Sequence, residues 1–232
     1  MEDPLIAFGE DIWLAEGPVI KAALGFRYPT RMAVIRLSGG RLVVWSPVAL
    51  TPSLSAAVMG LGQVAWLVAP NSLHHLSIGD WKAAYPNAKI VAVPGLAKKR
   101  PDLTIDVELG AQPLDEWSGE IDHVLFHNAL ATEAVFLHRK SATVLVTDLI
   151  QHLPKGWFGG WRAIIANLDL MTAKEPEVPR KFRTGFRDKA KARANAQQVL
   201  DWPSEKLVMA HGEPVVENAQ TALRHAFGWL MR

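Results

Sequence analysis

The chain contains no cysteine among its 232 residues. This absence excludes disulfide bonds, zinc sites built on thiolates, and catalysis by a thiol nucleophile. No apolar run approaches the roughly 18 residues that a membrane-spanning helix needs, so we expect no membrane partner. Basic residues exceed acidic ones by only two, which gives the chain as a whole little attraction for polyanions. We therefore do not expect nucleic-acid binding as its main function.

The composition that remains favours one layered domain spanning residues 1–232. About half of the residues (49%) are apolar, which is enough for a sizeable core. Nine tryptophans are available for that core or for an interface, and a homodimer is one possible use of them. The segment Met1–Pro4 is acidic and lacks the basic start of a signal peptide, so we expect a cytoplasmic protein.

Local patterns predict a mixed α/β (α+β) fold. Hairpins are expected at residues 31–45 and 134–147, where β-rich runs flank short turns. Residues 11–28 are expected to form a short strand and then a loop, and residues 217–229 a terminal helix. Between residues 156 and 187 no clear periodicity is visible, which indicates irregular structure.

Two later segments could have a functional role. Residues 156–161 combine glycine with aromatic side chains, which is typical of a loop able to fold over a site. The segment Arg180–Arg193 contains seven basic residues and one acidic residue. A solvated helix face is the favoured interpretation of this charge run, and a surface that binds an anionic partner is the alternative.

Three apolar, strand-like runs are each followed by a side chain that can bind a metal. Residues 64–69 are followed by His74 and His75, residues 143–147 by Asp148, and residues 206–210 by His211. In layered α/β folds, functional sites gather at the carboxyl ends of strands. We therefore expect these side chains to form one site.

Imidazole nitrogens and a carboxylate suit one divalent metal ion, which could be Zn²⁺, Fe²⁺ or Mn²⁺. Adjacent side chains on a strand point to opposite faces, so a loop is needed if both members of the histidine pair are to join. The sequence favours His75 as the ligand, with His74 as a fourth ligand or a base beside the ion. The alternative is that His75 and His211 are hydrogen-bonded histidines of the core.

The order of these motifs resembles that of the metallo-β-lactamase superfamily, whose fold is a four-layer αββα sandwich. In that family one strand ends in H-x-H-x-D-H, a later strand ends in a bridging Asp, and a last strand ends in His, often followed by Gly. Pro70, Ser72, His74 and His75 fall on the first motif, Asp148 on the bridging Asp, and His211-Gly212 on the final pair. A narrower resemblance is to an uncharacterised branch of this superfamily with no established substrate.

The departures from the family pattern shape the functional expectation. Pro70 and Ser72 replace two histidines, so the first metal site of the family is expected to be absent. The family's middle histidine should lie near residues 122–133, where His127 is the nearby candidate. The resemblance therefore implies a remnant second site and a mononuclear metal-dependent hydrolase of an unknown small-molecule substrate. The alternative is a non-catalytic member of the superfamily that serves as a binding or interaction protein.

Other side chains are expected to assist this site. Asn71 and Ser72 are candidates to orient water or substrate by hydrogen bonds, and Glu133 is a candidate carboxylate that fixes the tautomer of a histidine ligand. An apolar wall is expected from Trp81, Trp157 and Trp161.

Overall fold

The computed structural model describes residues 4–232, so the acidic residues 1–3 lie outside the described part of the chain. Two sheets face each other across a shared apolar core, and helices cover their outer faces. The predicted four-layer αββα sandwich is confirmed. Within residues 4–232, no helix has both the length and the apolar character needed to cross a membrane.

The larger sheet has seven strands whose spatial order follows the chain. They are β1 (Ile6–Gly9), β2 (Ile12–Lys21), β3 (Arg27–Arg36), β4 (Arg41–Trp45), β5 (Gln63–Ala69), β6 (Lys89–Ala92) and β7 (Val107–Glu108). The strands from β1 to β4 pair antiparallel, and those from β4 to β7 pair parallel. The carboxyl ends of β4 and β5 consequently lie at the same edge of the sheet.

The smaller sheet has four strands in the order β11-β10-β9-β8. They are β8 (Ile121–Phe126), β9 (Glu133–His138), β10 (Thr143–Val146) and β11 (Lys206–Met209). The pair β10 and β11 is parallel, and the other pairs are antiparallel. Alternate side chains point to opposite faces: Leu145 and Val208 enter the core between the sheets, whereas Val144 and Leu207 face the helices.

Helices form the two outer layers and cover the remaining face of each sheet. They are α1 (Pro52–Leu61), α2 (Ile78–Ala84), α3 (Leu96–Lys99), α4 (Trp161–Leu168), α5 (Arg180–Gly185), α6 (Lys189–Leu200) and α7 (Ala219–Phe227). Helices α1 and α2 pack on the larger sheet, and α5, α6 and α7 pack on the smaller one. The Thr51 hydroxyl caps the start of α1 by accepting a hydrogen bond from the Leu54 N–H.

The prediction of a short strand and a loop for residues 11–28 is wrong. Strand β2 has ten residues and pairs with β3, which begins already at Arg27. A register shift between Gly17 and Ile20 lets the strand continue past Pro18, whose ring nitrogen has no hydrogen to donate. The Thr30 hydroxyl donates to the Pro18 carbonyl across this irregular stretch. The long hairpin brings Tyr28 and Pro29 to the candidate site.

The irregular structure predicted ahead of the basic segment is also wrong, because α4 lies there. Helix α5 and the start of α6 fall in the segment Arg180–Arg193, where a helix face is the favoured interpretation. The apolar residues of α4 recur with helical spacing, but eight residues are too few to separate this pattern from a loop. Part of the basic segment Arg180–Arg193 is used inside the fold. Arg183 pairs with Glu177 at 2.5 Å, and Arg193 donates to the carbonyls of the C-terminal segment.

Candidate metal centre

Three side chains from the two sheets converge at one edge of the sandwich. His74 Nε2 lies 3.2 Å from His211 Nε2 and 3.4 Å from Asp148 Oδ2. His211 Nε2 lies 3.3 Å from Asp148 Oδ1. Ligand atoms held about 2.1 Å from a tetrahedral ion are about 3.4 Å from one another. The spacing of these donors therefore fits a single tetrahedral ion.

The position of His211 fixes which of its ring nitrogens faces the cluster. Its Nδ1 lies 2.6 Å from the carbonyl oxygen of Pro29. A carbonyl can only accept, so Nδ1 carries the hydrogen, and Nε2 of the neutral ring presents a lone pair. That lone pair faces the carboxylate of Asp148, which is also an acceptor. Two acceptors at 3.3 Å need a cation between them, either a proton or a metal ion.

The turn that carries His211 is held in place by two features of the sequence. The buried guanidinium of Arg31 donates through Nη1 to the carbonyls of Met209 (2.6 Å) and Gly212, on either side of the histidine. Gly212 has φ of +132°, and a Cβ at this position would lie 2.2 Å from the carbonyl oxygen of His152. Glycine is therefore required directly after the histidine.

His74 enters the cluster from the larger sheet. Its Nδ1 lies 2.8 Å from the hydroxyl of Ser46, which directly follows β4. Ser46 has a left-handed backbone (φ +51°), and its N–H donates to the carbonyl of Val68 on the neighbouring strand. Burial lowers the pKa of His74, although the neighbouring Asp148 acts in the opposite direction. The neutral imidazole that burial favours is the form that binds metals.

Asp148 provides the carboxylate of the cluster and is nearly buried. Burial by itself raises the pKa of Asp148, but the contacts with His211 and His74 outweigh burial and hold it well below the ordinary value. The Asn71 side-chain amide donates to its Oδ2 at 2.7 Å. The ionised carboxylate is thus oriented toward the two rings.

Glu133 has a different role from the one that the sequence predicts. Its carboxylate accepts hydrogen bonds from the backbone N–H groups of Thr147 (2.7 Å), Asp148 (2.9 Å) and Leu149 (3.0 Å). It therefore shapes the turn that presents Asp148 and contacts no histidine of the cluster, which corrects the expected tautomer-fixing role. Burial and the nearby charge of Asp148 raise the pKa of Glu133 to about 7.

Asn71 is also a structural residue, which corrects the expectation that it orients water or substrate. It is fully buried, and its amide nitrogen contacts Glu133, Thr147 Oγ1 and Asp148. Its amide oxygen accepts from the N–H groups of Leu73 (2.7 Å) and His74 (2.9 Å). These contacts use its hydrogen-bonding capacity, and the side chain is not available to a bound molecule.

The turn held by Asn71 places His74, and not the expected His75, in the cluster. It directs His74 into the cluster, whereas His75 Nδ1 lies 3.0 Å from Arg100 Nη1. Arg100 also donates to the His75 carbonyl, and His75 lines the cleft beside His74 without joining the cluster. The carbonyl of Ser72 accepts a hydrogen bond from Lys99 at 2.6 Å, and Ser72 is not among the residues that line the cleft beside His74.

The expected aromatic wall is not formed by tryptophans. Trp81 is a core residue that donates from Nε1 to the Val48 carbonyl, and Trp157 donates to the Arg27 carbonyl. Trp161 is 48% exposed. His127 is exposed and lies beside Asp188 and Lys191, in a pocket that contains none of the cluster residues.

Two residues that sequence reasoning missed surround the histidines. Tyr28 lies against the His211 ring with 5.1 Å between ring centroids, and Phe158 of the glycine-aromatic segment packs against Tyr28 at 6.1 Å. Ser46 is the other missed residue, in contact with His74. Its position after a strand is the signal that identified Asp148, so the same rule could have found it. Tyr28 has no such signal in the sequence.

A small cleft of about 70 Å³ opens on the His74 side of the cluster. Its walls come from the β2–β3 hairpin, the segment after β4 and the loop after β5, and they include Ile20, Val48, Leu73 and Leu76. Neither a carboxylate nor an ammonium or guanidinium group contributes to the lining. This volume is smaller than the roughly 300–1,000 Å³ of most small-molecule sites, so the cleft would accommodate only a small group.

Comparison with solved structures gives the same fold. The chain is similar to the metallo-beta-lactamase from Pontibacter korlensis, with 12% identity, a TM-score of 0.63 and 98% of each chain covered. It is similar to the Flv1 flavodiiron core from Synechocystis sp. PCC6803, with 12% identity and a TM-score of 0.66 over 97% of this chain and 60% of that one. The metallo-beta-lactamase FIM-1 from Pseudomonas aeruginosa matches with 12% identity and a TM-score of 0.57 over 98% and 92%.

Sequence comparison places the chain in a family without a described activity. No curated protein matches it. Residues 10–159, which make up more than half of the chain and include His74 and Asp148, match the family DUF4336, described as a domain of unknown function. The chain therefore belongs to the DUF4336 family and has the metallo-β-lactamase fold.

Proposed function

We propose that this protein is a mononuclear metal-dependent hydrolase in which His74, Asp148 and His211 hold one divalent ion. The observation that carries this proposal is the convergence of the ring nitrogens of His74 and His211 and the carboxylate of Asp148 at the spacing of metal ligands. Nitrogen and oxygen donors of this kind suit Zn²⁺, Fe²⁺ or Mn²⁺. One structural neighbour, FIM-1, is a metallo-beta-lactamase in a mono-zinc form, so this fold is compatible with one ion.

When bound, such an ion polarises a carbonyl oxygen and makes a water molecule more acidic. The residues of the protein orient the donors. The Pro29 carbonyl fixes the ring of His211, Ser46 fixes the ring of His74, and Asn71 fixes the carboxylate of Asp148. Partners of this kind maintain ligand orientation and raise metal affinity.

The cleft beside His74 supports a neutral, partly apolar substrate. Phosphate esters are usually held by arginine, lysine or a second metal ion, and the cleft lining contains none of these cationic side chains. An ester or lactone with an apolar substituent fits the lining better, since its carbonyl could approach His74 while the substituent contacts Leu73 and Leu76.

Metal content of variants tests the proposed ligand set. The wild type is purified without added metal or chelator, incubated with each metal and measured by plasma mass spectrometry; we expect about one equivalent. His74→Ala and His211→Ala should each lose this metal. His75→Ala is the matched control. It removes a histidine that is adjacent to His74 but lies outside the cluster, so this variant should keep the metal. Loss in His75→Ala alone, or equal metal in all four proteins, would overturn the assignment.

A non-catalytic binding protein is the second candidate, and the low exposure of the cluster favours it. The side chains of His74, Asp148 and His211 are only 9%, 10% and 3% exposed, which leaves little room for a water molecule and a substrate. A shared proton would then hold the cluster together. A wild-type metal content that stays near zero after incubation with each metal, together with no hydrolysis of esters, lactones or phosphodiesters, would favour this candidate.

A further inference from the structure

Helix α4 exposes its apolar side rather than burying it. Its large apolar residues follow the spacing i, i+3, i+4, i+7, and Leu24 of the β2–β3 hairpin extends the surface. We name these residues the α4 face: Leu24 (73% exposed), Trp161 (48%), Ile164 (64%), Ile165 (43%) and Leu168 (58%). A stripe with this spacing normally faces the protein core. Five neighbouring exposed side chains of this size indicate a surface that another body covers.

Contacts within the chain show that these residues form one surface. Arg162 Nε donates to the Leu24 carbonyl at 2.8 Å, and its guanidinium lies 4.6 Å from the centre of the Trp161 ring. The opposite side of the helix is formed by small residues, with Ala166 fully buried and Ala163 partly buried against Phe158 and its neighbours. The core therefore buries the small side of α4, and the large apolar side remains largely in solvent apart from the contact of Trp161 with Phe26.

The charges at the edge of this surface are positive. Arg162 lies at the Leu24 end, and Arg180 lies at the other end, where its Nη1 donates to the Leu168 carbonyl at 2.8 Å. Asp169, directly after the helix, is 3.2 Å from Lys181 and is neutralised by it. An apolar strip with tryptophan and a rim of arginine is the composition of helices that lie in the interface of a membrane.

We propose that the α4 face docks on an anionic lipid surface. Apolar side chains would enter the boundary between headgroups and acyl chains, and Arg162 and Arg180 would meet lipid phosphates. A second copy of the chain fits less well, because a two-fold contact between α4 faces would bring the same arginines of both copies together. Peripheral docking of this kind does not require the long apolar run whose absence argued against a membrane partner.

The α4 face is connected to the candidate metal centre by aromatic contacts. Trp161 packs on Phe26 at 5.9 Å, Phe26 on Phe158 at 5.1 Å, and Phe158 on Tyr28 at 6.1 Å, and Tyr28 lies against His211. Docking of the helix would thus act on the residue that covers a member of the cluster. Docking would therefore affect the surroundings of His211. The docking proposal itself does not depend on a metal being present.

Vesicle binding by the full chain tests the proposal. Sedimentation is measured with vesicles of phosphatidylcholine alone and of phosphatidylcholine with phosphatidylglycerol, in chelator and at low and moderate salt. We expect binding to the anionic vesicles and a blue shift of tryptophan fluorescence. The double variant Ile164→Ser/Leu168→Ser should bind roughly tenfold less tightly or weaker, because two apolar anchors are removed. The matched control is Met59→Ser/Leu130→Ser, which alters equally exposed apolar residues elsewhere.

The outcomes separate the possible occupants of this surface. Retained binding in the control and lost binding in the α4 variant would support the proposal. The proposal is overturned if the wild type does not bind anionic vesicles, or if both double variants bind as the wild type does. Sedimentation velocity is measured in parallel on the same proteins. A dimer that dissociates only in the α4 variant, without vesicle binding, would assign the surface to a second copy instead.

Discussion

The stability of this protein should depend on pH through a histidine far from the candidate metal centre. His138 ends β9 and is only 1% exposed. Its Nδ1 lies 2.8 Å from the hydroxyl of Ser141, which in turn donates to Thr143 Oγ1 at 2.8 Å. Burial lowers the pKa of His138 to about 4, although the carboxylates of Asp11 and Glu120 act in the opposite direction.

The direction of the effect follows from the protons bound in each state. In the unfolded chain His138 has a pKa of about 6.5, so it binds a proton between pH 6.5 and 4 that the folded protein does not bind. The free energy of unfolding therefore falls as pH decreases through this window, by about 1.4 kcal/mol per pH unit. The full loss attributable to His138 is about 3 kcal/mol near pH 4, and it is absent at pH 8.

A variant without the titrating ring isolates this contribution. His138→Asn keeps an amide N–H where the ring Nδ1 donates to Ser141 but does not titrate. Urea unfolding of both proteins is measured at half-unit steps from pH 8 to pH 4.5, in chelator so that metal release does not contribute. All other ionisable groups are common to the two proteins, so the difference between their curves reports His138. The wild type should lose stability relative to the variant below pH 6.5, and parallel curves would refute the buried neutral state of His138.

Three further expectations concern contacts that hold the fold and the cluster. Trp81→Phe removes the donor to the Val48 carbonyl and should cost about 1–3 kcal/mol of unfolding free energy, and an unchanged urea midpoint would contradict the contact. Asn71→Ala should lower zinc affinity about 10–100-fold by releasing Asp148, as measured by competition with a chromogenic chelator; an unchanged affinity would contradict the proposed orienting role. Thr51→Ala should cost about 1 kcal/mol through the lost helix cap, whereas Thr51→Ser should be nearly neutral, and equal losses in both would contradict a capping role.

The sequence alone indicated the edge at which the cluster lies, and its resemblance to a known superfamily implied the arrangement of the layers. Strands β10 and β11 are each followed, after one intervening residue, by a cluster residue, Asp148 or His211. Such apolar runs and their ends are visible locally because they extend over only a few residues. The resemblance to the metallo-β-lactamase superfamily rested on the same local motifs and is confirmed.

Tertiary contacts decided which of two adjacent histidines enters the cluster. Sequence favoured His75, but Asn71 accepts from the turn N–H groups and directs His74 inward, while Arg100 holds His75 outside. Asn71 in turn depends on Glu133, which is 62 residues away in sequence. Side-chain directions at neighbouring positions of a loop depend on such distant partners, and no local pattern encodes them.

Helix α4 and the contact of Tyr28 with His211 also separate what local sequence indicates from what tertiary contacts decide. The spacing of Trp161, Ile164, Ile165 and Leu168 belongs to a helix, and this much lies in the sequence. Whether that apolar side faces the core or the solvent depends on what the rest of the chain places beneath the helix. Here the sandwich contacts the small side of α4 and one edge of Trp161, and Tyr28 reaches His211 through the long β2–β3 hairpin. Periodicity follows from neighbouring residues, but burial follows from residues that only the complete fold brings together.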